Sequence, residues 1–191
     1  MIPLIPDWAV PNQNASTSSL ATPDDVNVSS AAHRAYTVDF DDLQGSRKYA
    51  GFRAYGRSKL ELLLLTRELA RRLRGTGVTV NAVHPGFVRS GFALNNRGGI
   101  SFGMRILGRL FGRSTVSGAD TPTWVASSPA DTGPTGEYFV NRRIASGSRA
   151  SSDLEMAERL YEHLCALADE TPLTVSDRPA APERSGRPIP S

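Results

Sequence analysis

The sequence predicts an α/β fold: a parallel β-sheet whose strands are joined by helical crossovers. Three observations predict it. An amphipathic helix pattern runs from Ala54 to Arg74. A β-branched run, Val78 to Val83, follows it, and a second β-prone run, Val26 to Ser29, precedes it. Strand, helix, strand in that order implies parallel pairing, because parallel neighbours need a crossover between them.

Taken in order, the elements have separate causes. Val26-Asn27-Val28-Ser29 is short and β-prone. In the helix, Leu60, Leu63 and Leu64 lie near one face with Leu69 and Leu73, while Arg67, Arg71 and Arg74 lie elsewhere. Gly75 and Gly77 stop it. The next strand ends at Pro85-Gly86, a turn signal. Short helices are expected at Gly103–Phe111 and Gly118–Ala126, and a short strand at Glu137–Val140. A last helix is expected over Asp153–Leu167, with Asp153 as its N-cap.

Composition narrows the class. The 191 residues are 39% hydrophobic and 21% charged, which fits a globular domain rather than a collagen-like, disulfide-rich or disordered chain. Nine of thirteen prolines fall in residues 1–25 and 171–191, whereas the middle holds 16 of 17 glycines. Both ends are polar and bury little, so residues 1–25 are expected to be an unrelated disordered lead and 171–191 a disordered tail. Residues 26–170 are expected to form the working region. Cys165 is the one cysteine, which excludes an internal disulfide and suggests a reducing, cytoplasmic setting. The net charge of +3 comes from arginines interleaved with acids, and no zinc-finger, basic-zipper or RNA-binding signature accompanies it; nucleic acid is not expected as a partner. His33, His84 and His163 are too dispersed for a metal site.

The chemistry converges on one rim. Tyr55 and Lys59 are one helical turn apart and share a face. A phenol titrates near 10, and a nearby ammonium favours its ionised form, so Tyr-x-x-x-Lys is a sensible acid/base device. Alone it is a weak signal, since a tyrosine packed under a helix with a solvated lysine looks the same. Two neighbours strengthen it. Ser30 follows the first strand, and Pro85-Gly86 follows the second. Both stand at the carboxyl edge, where open α/β sheets bind ligands.

On these residues the chain resembles the short-chain dehydrogenase/reductase family, in particular its retinol dehydrogenase-like branch. The matching runs are Val26 to His33, Phe40 to Gly45, Ala54 to Leu60, Thr66 to Leu73, Val80 to Gly86, Gly118 to Pro122 and Thr135 to Phe139. The resemblance implies a Rossmann-like, doubly wound parallel sheet. It implies NAD(P)-dependent alcohol oxidation or carbonyl reduction, with NAD or NADP as cofactor. Ser30 would polarise the substrate oxygen, Tyr55 would exchange its proton, and Lys59 would support Tyr55 and bind the nicotinamide ribose. Pro85, Gly86 and Val88 would approach the carboxamide, and Ser90 the phosphates.

The family also opens with a glycine-rich turn that holds the pyrophosphate on a helix N-terminus. Residues 1–25 contain no glycine. The expectation is therefore a partial sheet lacking the N-terminal nucleotide-binding half. Such a chain would leave a strand edge and the leucine face of the long helix without partners. Homo-oligomerisation through Ala54–Arg74 would cover that face. The alternative to an enzyme is an inactive fragment that acts through association with another protein. Gly103–Arg113 is basic and amphipathic; a segment of this kind can lie on an anionic membrane, but a flap over the substrate cleft is the favoured reading.

Overall fold

The computed structural model describes residues 24–47, 49–86, 88, 114–127 and 133–173. Its elements are β1 (Asp24–Val28), α1 (Gly51–Arg72), β2 (Thr79–His84), α2 (Thr115–Ala126), β3 (Tyr138–Val140), β4 (Arg143–Ile144) and α3 (Leu154–Ala168). Short 3-10 turns cover Ala31–Ala35, Phe40–Asp42 and Ala150–Ser152. The fold is α/β and Rossmann-like, with strand order β1-β2-β3-β4. β1 and β2 pair in parallel from Asp24 against Thr79 to Val28 against Val83. β3 joins β2 in parallel, and β4 folds back antiparallel on β3. Among the described residues β1 is an edge strand.

The elements stand where the pattern places them, with shifted ends. β1 starts at Asp24, inside the expected lead, because Asp24 and Asp25 find partners in Thr79 and Val80. α1 starts at Gly51 rather than Ala54, and α2 at Thr115 rather than Gly118, where the Ser114 side chain caps the Ser117 amide. Asp153 caps α3 as expected, accepting from the Met156 amide at 3.0 Å. The tail boundary also moves. Leu173 is held at both ends, its amide donating to the Tyr161 hydroxyl at 3.0 Å and its carbonyl accepting from Arg72. The helix expected at Gly103–Phe111, and the basic amphipathic stretch to Arg113, lie outside the described residues.

The leucine face of α1 is not left bare. Leu60 and Leu64 pack with Val38, Ala157 and Leu160, so α3 covers them from within the chain. Leu63 packs on Ala82 and Tyr138 of the sheet. The expected loss of packing on this face is thus corrected: the chain supplies its own cover. The opposite sheet face packs Val26, Val83 and Phe139 against Val125 of α2. One helix layer holds α1 and α3, the other α2, with the sheet between them. No helix among the described residues is long and apolar enough to cross a membrane.

Candidate active site

The site is assembled where β1 and β2 end. Their register puts Val28 beside Val83, and the Ser29 amide extends the ladder to the Val83 carbonyl at 2.8 Å. Ser30 and Pro85-Gly86 therefore leave the sheet at the same edge. Gly86 takes φ 83°, a left-handed conformation that glycine adopts without steric cost.

α1 is fastened to that edge by two reciprocal contacts. The buried Ser29 hydroxyl donates to the Lys59 carbonyl at 2.9 Å. The Lys59 ammonium donates to the Val28 carbonyl at 3.0 Å. Lys59 is thus pinned by its backbone and its side-chain tip to the end of β1. Its Nζ lies 5.6 Å from the centroid of the Tyr55 ring, one turn up the same helix face. Phe52 flanks Tyr55, with ring centroids 6.4 Å apart.

Ser30 sits half-buried in extended backbone, φ −152° and ψ 151°, as the N-cap of the Ala31–Ala35 turn. Its Oγ accepts from the Ala32 amide at 3.3 Å. That bond occupies a lone pair and leaves the hydroxyl proton for another acceptor. Tyr138, on β3, is buried; desolvation, with the neighbouring Tyr55 phenol adding and Arg34 opposing, pushes its phenol up to about 12. It stays neutral under ordinary conditions, whereas Tyr55 stands at the open rim.

Among the residues singled out from sequence, Ser30, Tyr55, Lys59, Pro85 and Gly86 are brought to one rim. Val88 is half-buried against α2: a Cβ on Gly118 would lie 2.5 Å from a Val88 methyl, so the bare glycine admits the contact. Ser90 lies outside the described residues. Sequence reasoning missed Ser29 and Tyr138, and set His33 aside as a local hydrogen-bonding residue. Ser29 carried a signal, since the residue before Ser30 on a strand must point the other way, toward the crossover helix.

The residues fit one end of a nicotinamide nucleotide. A fixed ammonium beside a phenol and a tight strand-end turn suit a ribose hydroxyl and a carboxamide. The described residues hold no glycine-rich turn opening a helix at this edge, so they offer no cradle for the pyrophosphate. Among them no group of three or more His, Cys, Asp or Glu side chains could hold a metal ion.

A parallel sheet with this rim defines a class, and the comparisons agree with it. The chain is similar to short-chain dehydrogenases/reductases, and in particular to retinol dehydrogenases. The family model that matches, described as Enoyl-(Acyl carrier protein) reductase, covers residues 25–104. It is 44% identical to retinol dehydrogenase 12 of Mus musculus over 146 residues, 74% of this chain and 44% of that protein. It is 37% identical to retinol dehydrogenase 13 of Homo sapiens over 161 residues, 81% of this chain and 48% of that protein. The chain thus spans less than half the length of these relatives. A solved structure of an uncharacterised protein from Mycobacterium Paratuberculosis superposes with a TM-score of 0.57 at 28% identity, covering 80% of this chain and 53% of that one.

Proposed function

We propose that this chain is an oxidoreductase and carries the proton-transfer site of an NAD(P)-dependent interconversion of alcohol and carbonyl. One observation supports it above the others: the double fastening of Lys59 to the end of β1, which sets Tyr55, Lys59 and Ser30 on a single rim. In this reading the Ser30 hydroxyl donates to the substrate oxygen, using the proton that its cap to Ala32 leaves spare. Tyr55 gives or takes the proton at that oxygen. Lys59, held at the strand end, sets its ammonium on the Tyr55 side of the rim, where charge develops as the proton moves. A bound nicotinamide would supply or accept the hydride. Pro85, Gly86 and Val88 would line its carboxamide side, with Ser90 toward the phosphates. A small alcohol or carbonyl compound is the substrate class. The buried, singly occurring Cys165 is in keeping with a reducing cytoplasmic setting.

A second reading has its own support. β1 is a sheet edge among the described residues, and an unpaired edge can pair with another chain, which favours a catalytically silent protein that works by association. Two measurements separate the readings. Fluorescence titration with NADH and NADPH reports cofactor binding. Turnover of a panel of aldehydes and alcohols is then compared with the Tyr55→Phe variant, which should be slower by about 10²-fold or more if Tyr55 moves the proton. Turnover equal in the two proteins overturns the site. Cofactor binding without turnover in the wild type favours the silent chain.

A further inference from the structure

We infer that His33 is the positioning residue for the Ser30 hydroxyl, a role that rests on the acid–base reading of Ser30 given above. His33 is fully buried, and both ring nitrogens are engaged. Nδ1 lies 2.6 Å from the Ser30 carbonyl oxygen, and Nε2 lies 3.1 Å from the Ser148 amide nitrogen. The Ser148 amide can only donate, so Nε2 accepts. Nδ1 therefore carries the hydrogen and donates to Ser30. The two contacts fix one neutral tautomer.

The geometry acts on Ser30 from two sides. The imidazole holds the Ser30 carbonyl, and the His33 amide reaches the same oxygen at 3.2 Å. The Ala32 amide holds the hydroxyl oxygen. Backbone and side-chain torsions of Ser30 are thus set together, at the first residue beyond the ladder. The far end of the ring ties this turn to the loop after β4, which Arg34 also grips through the Ser146 and Gly147 carbonyls. The ring edge meets Tyr138 at a centroid distance of 5.3 Å and an angle of 85°. Tyr138 in turn feels the Tyr55 phenol electrostatically.

Protonation would dismantle the arrangement. A hydrogen on Nε2 would face the Ser148 N–H, donor against donor. The charged groups that bear on the ring are Arg34 of its own turn and Arg67 of α1; both oppose a second positive charge, and Tyr138 is the neighbouring titratable group on β3.

Three variants of the full chain test this. His33→Asn can place an amide N–H near the Nδ1 position. His33→Gln can place an amide oxygen near Nε2, and His33→Phe keeps only the ring. NMR side-chain couplings of Ser30 should show one rotamer in the wild type and His33→Asn, and rotamer averaging in His33→Gln and His33→Phe. The wild-type imidazole ¹⁵N pattern at neutral pH should show hydrogen on Nδ1. Turnover should fall by about 10-fold or more in kcat for His33→Gln and His33→Phe, with KM and the His33→Asn values within about 3-fold of wild type, as for a misplaced reacting group. A purely structural role would instead lower stability in all three while leaving the Ser30 rotamer fixed. Unchanged Ser30 couplings in His33→Phe, equal behaviour of the Asn and Gln variants, or hydrogen on Nε2 overturns the inference. Should His33→Phe not fold, the Asn and Gln pair decides. If Tyr55→Phe leaves turnover intact while the Ser30 couplings respond to His33, the functional reading fails and the clamp stands.

Discussion

Gly56 shows how little room the Tyr55 helix has. A Cβ there would lie 2.1 Å and 2.2 Å from two carbons of the Tyr36 ring. Alanine favours a helix over glycine by about 1 kcal/mol, but overpacking costs about 1–3 kcal/mol, and a rigid aromatic ring cannot withdraw as a flexible tip could. Gly56→Ala is therefore expected to lose up to about 2 kcal/mol net by urea unfolding; a gain in stability would show that Tyr36 moves freely. His33 gives a residue-scale prediction in pH. Burial lowers its pKa below the ordinary 6.5, with Arg34 and Arg67 acting the same way and the Ser30 hydrogen bond opposing. With a depressed folded value, the unfolded chain binds the proton first. The contribution of neutral His33 is thus complete above 6.5 and is lost as pH falls below it. Thermal melts should show wild type losing stability from pH 7 toward 5 more steeply than His33→Asn. Parallel pH curves would place the loss elsewhere.

At the scale of elements, the lower end of α1 is held by a charge cluster. Glu68 is fully buried and bonded to Arg71 at 2.7 Å and 2.9 Å. It also pairs with Arg72, itself nearly buried and set 4.3 Å from the Tyr161 ring centroid of α3. Burial alone would raise the Glu68 carboxyl, but the hydrogen bonds from Arg71 and Arg72 outweigh it and hold the group below its ordinary 4.5. Its stabilisation is present above that value and is lost as pH falls through the depressed one. Glu68→Gln leaves the nearly buried Arg72 with its Leu173 carbonyl and Tyr161 ring contacts and, as its ion-pair partner among the described residues, only the half-exposed Glu158 at 3.6 Å. The expected loss is roughly 3 kcal/mol, the low end for breaking a buried pair, read from chemical denaturation at neutral pH. A change below about 0.5 kcal/mol would mean the cluster behaves as a surface pair. None of this was legible in the sequence, where Arg67-Glu68 and its neighbours read only as arginines interleaved with acids away from the leucine face. Charge pattern along one helix cannot reveal that a second helix, far along the chain, closes over it. The elements themselves were legible, because the leucine spacing of α1 and the β-branched run of β2 are local signals. So was the Asp153 cap, a side-chain-to-backbone bond made within one turn. The rim of Ser30, Tyr55 and Lys59 was legible only in combination. The Ser29–Lys59 fastening and the His33 clamp span contacts between distant segments, which no spacing rule encodes.

For the molecule as a whole, the question is what keeps the proposed catalytic helix in place on a four-stranded sheet. The answer lies in α3. Leu160 is fully buried against Leu60 and Leu64, while Leu63 on the same helix seats on Ala82 and Tyr138. α1 is thereby clasped between the sheet and α3, and Tyr55 and Lys59 ride on the clasped helix. Removing three carbons from the centre of this layer costs the transfer free energy and leaves a cavity that a helix pinned on both sides closes poorly. Leu160→Ala is therefore expected to lose about 2–5 kcal/mol, a large share of the 5–15 kcal/mol that holds a typical domain together. Because the same layer holds the rim, the loss should be global rather than confined to the C-terminal helix. Far-UV and near-UV circular dichroism should then fall together on heating, at a lower Tm than wild type. Had α1 kept its leucine face for a second copy of the chain, Leu160→Ala would melt α3 alone, the near-UV signal from Tyr55 and Tyr138 would persist, and Tm would rise with protein concentration. Melts at two concentrations about tenfold apart, followed at both wavelengths, distinguish an internally clasped helix from one that waits for a partner.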